Sequence, residues 1–161
     1  MMRNTPRPRP RMLRVFVDTT VLFAAVYSST GSARDLIRLA TEEKVQLIVS
    51  QRVLIEMERN LQKKAPDQLP AYRLLLAAVV PEMADEPAEL AQSIATYVVS
   101  KDAPIVAAAV HAQVDYLVTY DRKHLLDRPE VAQQSGLAIV TPDVVVQAVR
   151  AEQDTANPTS E

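Results

Sequence analysis

Short apolar runs that alternate with helix-patterned segments restrict this chain to a small set of folds. Residues 13–17 are apolar apart from Arg14, the pattern of a strand buried on both faces. Residues 46–49 and 116–119 repeat that pattern, and 138–140 are a shorter version. Between the runs, apolar residues recur at helical spacing: Ala33, Leu36, Ile37 and Ala40, then Val53, Leu54, Met57 and Leu61, then Leu90, Ile94 and Tyr97. Strands alternating with helices predict an α/β fold. Its three layers, α/β/α, hold a central parallel sheet of four to five strands with helices on both faces. Helices are expected over 19–27, from a Ser32 cap, over 51–64 up to Pro66, over 71–79, from Pro87, over 102–112, and from Thr141 to about residue 150. Pro81 and Pro87 bracket an expected acidic loop, and residues 121–126 read as a turn with a helical piece.

One domain is expected over residues 12–150. Ahead of it, Arg3, Arg7, Arg9 and Arg11 interleave with Pro6, Pro8 and Pro10. That alternation cannot pack, so residues 1–11 are expected to form a disordered basic arm with salt-sensitive affinity for phosphates. Residues 151–161 are polar and are expected to be a flexible tail.

Four acids fall where such a fold gathers polar groups. Asp18 closes the first strand and Asp121 follows the third. Glu56 lies on the helix after the second strand, and Asp102 opens an alanine-rich helix. Ligands of open parallel sheets bind beyond the carboxyl ends of the strands. Carboxylates collected there repel: at about 5 Å and an effective dielectric of ~20, each pair costs roughly 3 kcal/mol. A hard divalent cation relieves the repulsion. Taken singly, Asp18 and Asp102 are good helix caps, Asp121 is a turn former and Glu56 a solvated helix residue. The joint pattern, with Thr19, Thr20, Ser50 and Thr119 beside the acids, points instead to a metal-dependent site.

Composition narrows the chemistry. The chain has no cysteine, which removes disulfides, thiolate zinc sites and cysteine nucleophiles. Its two histidines, His111 and His124, are too few for a histidine-rich metal site, so oxygen ligands and hence Mg²⁺ or Mn²⁺ are expected. A formal net charge of -2 gives no bulk attraction to nucleic acid. No secretory signal and no membrane span are visible, which predicts a cytoplasmic protein.

Four stretches carry a family resemblance. Val15-Phe16-Val17-Asp18-Thr19-Thr20-Val21-Leu22 resembles the opening motif of the PIN-domain nucleases. Ser50-Gln51-Arg52-Val53-Leu54-Ile55-Glu56 is similar to their second motif, and Lys101-Asp102-Ala103-Pro104-Ile105-Val106-Ala107-Ala108-Ala109 to the third. Asp115-Tyr116-Leu117-Val118-Thr119-Tyr120-Asp121-Arg122-Lys123-His124-Leu125 resembles the fourth and is the most specific. Order and spacing match over nearly all of residues 13–149. The likeness is strongest to the small VapC-type toxins. Gln113-Val114 departs from the pattern where many relatives carry glycine, which touches a turn and not the chemistry.

The resemblance implies a Mg²⁺- or Mn²⁺-dependent endoribonuclease. Asp18, Asp102 and Asp121 would hold the metal directly or through water, and Glu56 would complete the acidic, catalytic set. Glu58 lies two positions on and hence on another helix face. Thr20 and Thr119 would orient the carboxylates. The resemblance further implies an RNA substrate, a small antitoxin protein as partner, and a homodimer, for which the helices over 33–40 and 71–79 offer apolar surface. Arg34 and Arg38, one turn apart, and Arg122 and His124, beside the fourth acid, are candidate RNA contacts. His111 is expected to be a partly buried packing residue.

Other classes explain less. A signalling receiver domain needs an adjacent acidic pair and a late lysine, but Asp18 is followed by threonines and Thr141 by Pro142. An aspartyl-nucleophile phosphatase usually needs an acid at position 20, which is threonine. A non-catalytic binding module has no reason to keep all four acids.

Overall fold

The computed structural model describes residues 11–156. Residues 1–10 of the arm expected over 1–11, and 157–161 of the tail expected over 151–161, lie outside that span. Strand β1 (Leu13–Val17) leads into α1 (Thr19–Tyr27) and α2 (Ser32–Thr41). Strand β2 (Val45–Ser50) leads into α3 (Gln51–Lys64), a 3-10 turn (Pro66–Gln68) and α4 (Leu69–Val79). Then come β3 (Glu82–Ala84), α5 (Ala88–Ile94), α6 (Ala103–His111) and β4 (Tyr116–Val118). A π-helical turn (Arg122–Leu126), α7 (Pro129–Ser135), β5 (Ile139–Val140) and α8 (Pro142–Ala156) complete the order.

All five strands are parallel, in the order β3-β2-β1-β4-β5. Helices flank the sheet as expected of a three-layer α/β/α fold. Parallel connections are right-handed. The steps from β1 to β2 to β3 run one way across the sheet, so α1–α4 share one face, where they touch one another and α8 packs on α2. The step from β3 back across to β4 runs the other way and carries α5 and α6 to the opposite face. The direction of winding therefore reverses between β1 and β4.

The central strands are the driest part. Val15, Phe16, Val17, Ile48, Val49, Leu117 and Val118 have no exposed surface. Alternate residues of each strand face the two helical layers, which is why these runs are apolar throughout. On α6, Ala103, Ala107, Ala108 and Ala109 are buried, and their methyl groups let the helix lie close to the sheet. Arg14, the one charge in β1, exits at the edge of the layer, where it binds Glu82 and the Ala112 carbonyl.

Several expectations need correction. The stretch between Pro81 and Pro87 contains β3, which extends the sheet beside β2 through Ile48↔Glu82 to Ser50↔Ala84. Ser32 does not cap α2: Gly31 holds that position at φ 99, with no side-chain hydrogen bond. Helix α4 starts at Leu69 rather than 71, and α7 was not expected at all. Helix α8 runs on to Ala156, past the end expected near 150. Arg11, the last residue of the expected arm, pairs with Asp115. Gln113, the departure from the family pattern, sits in a left-handed turn at φ 53. Glycine takes that conformation without strain, whereas another residue costs roughly 1–2 kcal/mol. His111 is exposed at the end of α6, not packed.

Candidate active site

Two of the acids bracket the reversal in winding. Asp18 follows β1 and Asp121 follows β4, and these strands pair through Val15↔Tyr116, Phe16↔Leu117 and Val17↔Val118. Helix α6 runs back toward the start of β4, so its N-terminus, with Asp102, sits at the same sheet edge. Glu56 stands one turn into α3, which rises from the end of β2. An open sheet leaves a crevice at such a switch point.

Asp18 is buried, with 5% of its surface exposed. Its Oδ1 accepts from the Thr20 and Val21 backbone N–H groups, at 3.0 and 3.3 Å, and from the Thr20 hydroxyl. Its Oδ2 accepts from the Thr119 hydroxyl. Those hydroxyls also fix the neighbouring loop: Thr119 Oγ1 accepts from the Asp121 N–H at 2.9 Å, and Thr20 Oγ1 from the Tyr120 N–H at 3.0 Å. One network thus sets the spacing of Asp18 and Asp121. Thr19 and Thr20 begin α1, so the same aspartate caps that helix. Burial raises the Asp18 pKa, and the Thr119 and Thr20 hydrogen bonds oppose that rise.

Asp102, Asp121 and His124 offer ligand atoms that all lie within 4.8 Å of one another. Asp102 occupies the N-cap position of α6, yet its carboxylate makes no capping bond. The cap expected of it is not made. Instead Asp102 Oδ2 is buried without any hydrogen-bond partner. An unpaired buried carboxylate oxygen is costly. Burial raises the Asp102 pKa; Lys101 lowers it, Asp121 raises it, His124 lowers it and Glu56 raises it. Glu56 therefore acts on the cluster through its field, although it lies outside the tight group of three. Glu58 turns toward α4, where it meets Arg73 at 3.6 Å.

Asp121 caps the π-helical turn by accepting from the His124 N–H at 3.0 Å. The same turn brings His124 Nδ1 to 3.1 Å from Asp121 Oδ2 and 3.9 Å from Asp102 Oδ2. His124, expected as an RNA contact, lies among the acids. The spacing Asp-x-x-His carries the signal, since the third residue after a cap returns to the capping side chain. Arg122 is exposed and faces Asp127 at 3.7 Å. Arg34 and Arg38 line a separate groove between α2 and α4, with Ile37, Leu74 and Leu75. There Arg38 binds Asp35 and the Ser29 carbonyl. They are not among the groups around the acids.

A divalent cation fits this donor set. Two carboxylates converge, one of their oxygens is buried and unpartnered, and an imidazole stands within reach.

The fold and this arrangement of acids agree with the sequence comparison. The chain belongs to the PIN-domain family of nucleases, whose model matches residues 14–123. The structure is similar to that of PAE2754 from Pyrobaculum aerophilum, at 21% identity and TM-score 0.60, covering 86% of this chain and 90% of that one. It is also similar to VapBC2 from Rickettsia felis, solved with a DNA fragment from their promoter, at 18% identity and TM-score 0.60, covering 79% and 97%. A third is VapC20 from Mycobacterium tuberculosis, a sarcin-ricin loop cleaving toxin, at 17% identity and TM-score 0.50, covering 68% and 91%. What is shared at these identities is the fold. No curated protein matches in sequence. Among the described residues, no helix is long and apolar enough to cross a membrane.

Proposed function

We propose that this chain is a divalent-metal-dependent endoribonuclease and the toxin half of a toxin–antitoxin pair. The observation that carries the metal dependence is the unpartnered Asp102 Oδ2, buried within 4.8 Å of Asp121 and His124 ligand atoms. The VapC and VapBC structures of the same fold support the toxin reading.

In this reading Asp102 and Asp121 hold the cation, Asp18 stands behind them, and Glu56 adds to the negative field. Mg²⁺ or Mn²⁺ suits the carboxylates. A bound divalent ion supplies Lewis-acid polarisation of a phosphoryl oxygen and a more acidic water. The chain does the positioning. Thr119 fixes Asp18 against the Asp121 backbone, and Thr20 fixes Asp18 against Tyr120. His124 donates its Nδ1–H to Asp121 and holds that carboxylate in one rotamer, as partners of metal-binding groups commonly do. The antitoxin is a small protein that covers the acidic crevice. Self-association uses the α2/α4 surface, where Leu74 is 72% exposed.

The test uses purified protein, end-labelled RNA, and Mn²⁺ or Mg²⁺ against EDTA. Cleavage that needs the metal and disappears in Asp102→Asn is the expected result. Cleavage in EDTA, or full activity in the variant, overturns the proposal. Mapping the RNA cut during growth arrest identifies the target, and light scattering reads the oligomeric state.

A further inference from the structure

Tyr120 stands between Thr119 and Asp121, in the loop that carries one of the converging carboxylates. Its backbone N–H donates to Thr20 Oγ1 at 3.0 Å, a bond that any residue but proline can make. The backbone therefore gives no reason for an aromatic side chain there. Tyr120 is 41% exposed, and a ring so placed has a plain use as half-covered surface. What surrounds its hydroxyl gives the side chain a second use.

Helix α2 has no side-chain cap. Gly31 holds the N-cap position, and no side chain bonds to the first turn from there. The first bond within the helix runs from the Asp35 N–H to the Gly31 carbonyl, at 3.0 Å. The N–H groups of Ser32, Ala33 and Arg34 come before it and have no partner inside the helix. The Tyr120 phenol oxygen faces the Ala33 N–H, with Asp143 close by. Asp143 stands in the first turn of α8, and α8 packs on α2. The phenol thus lies where both helices begin. The rest of the loop is tied elsewhere: the Thr119 N–H to the Val140 carbonyl at 3.0 Å, and the Tyr120 and Asp121 N–H groups to the Thr20 and Thr119 hydroxyls around Asp18. Those bonds hold the loop to β5 and to the start of α1. The phenol reaches the other way, to α2.

We infer that Tyr120 is a positioning residue for the cation site: its phenol oxygen caps α2 by accepting from the Ala33 N–H, and so holds the backbone that presents Asp121. The inference rests on the metal-binding reading above and adds a residue to it. Tyr120 acts through Asp121 and not on the ion. A loop already fixed when the ion arrives has less freedom to lose on binding, so the tie strengthens binding without touching the metal.

The test sets wild type beside Tyr120→Phe, which keeps the ring and deletes the hydroxyl, and Tyr120→Ala. Hydrogen exchange of the Asp121 amide is measured in EDTA, and Mn²⁺ affinity by calorimetry; circular dichroism checks that each variant folds. In Tyr120→Phe the amide is expected to exchange about three- to tenfold faster, and Mn²⁺ affinity to fall by a similar factor, the worth of one neutral hydrogen bond. Tyr120→Ala is expected to lose at least as much in both. A folded Tyr120→Phe that matches wild type in either measurement overturns this inference and leaves the metal reading intact. So does a Tyr120→Ala that changes KM for RNA alone, which makes the ring a substrate contact instead. A wild type that takes up no Mn²⁺ overturns the metal reading and this inference with it.

Discussion

Replacing Asp102 with asparagine removes one negative charge from the crevice and almost no volume. Its carboxylate stands within 4.8 Å of an Asp121 oxygen. At that distance and an effective dielectric of ~20 the repulsion is about 3 kcal/mol. Against this, the charge favours the α6 N-terminus by about 0.3–1 kcal/mol, and Lys101 and His124 attract it. No capping hydrogen bond is lost, because Asp102 makes none. The metal-free variant should still be more stable than wild type at pH 8, because burial, the largest influence on Asp102, disfavours its charged form. The pH dependence follows from the raised Asp102 pKa. Folded Asp102 holds its proton more tightly than the unfolded residue does, so its ionised form destabilises the fold. The gap between variant and wild type is full above the raised folded pKa. It closes as pH falls toward the unfolded value near 3.8. Thermal unfolding in EDTA across that range measures it. Adding Mn²⁺ should reverse the order, because wild type gains binding energy and the variant does not. A variant less stable than wild type in EDTA at pH 8, or an equal Mn²⁺ shift in both, refutes the account.

Mn²⁺ affinity should weaken on acidification with a midpoint above the ordinary aspartate range, since burial raises both Asp18 and Asp102; a calorimetric pH series with its midpoint at or below 3.8 contradicts this. Thr119→Val leaves Asp18 Oδ2 and the Asp121 N–H without their partner, which should cost about 2–4 kcal/mol in urea unfolding. A loss below about 0.5 kcal/mol places the strength of the network elsewhere. His124→Ala should lower Mn²⁺ affinity about 10–100-fold by freeing the Asp121 rotamer, and unchanged affinity by calorimetry removes its positioning role. Val80, which ends α4 at φ 47 and is 72% exposed, should be replaceable by glycine with a gain of about 1 kcal/mol; a loss in chemical denaturation refutes the strain.

The elements that position the acids were legible because each has a strong local signal. Buried parallel strands are apolar at every position, so β1, β2 and β4 stand out in the sequence. Helix α3 shows clean helical periodicity between Ser50, which caps it, and Pro66. The missed pieces are short and lie at the margins. Strand β3 has three residues, two of them exposed, and its partner is far away in sequence. Helix α7 buries Val131 alone, too little to give a period. For the site, the placing of Asp18 and Asp121 followed from strand ends, but the company they keep did not. The free oxygen of Asp102 depends on a cap that is not made. His124 enters the cluster through a cap that is, a three-residue spacing easily taken for a surface charge run. Arg34 and Arg38 share a helix face, as their spacing requires, but that face borders α4.

The pairing of β1 with β4 has a consequence for when the crevice comes into being. Asp18 and Asp121 are separated by almost two thirds of the chain, and the Val15–Val17 ladder with Tyr116–Val118 brings them side by side. Distant pairing forms late, after the loop entropy has been met. A chain still emerging from the ribosome, or clipped anywhere before Thr119, holds Asp18 with no counterpart. The paired acids are thereby confined to molecules that have finished folding.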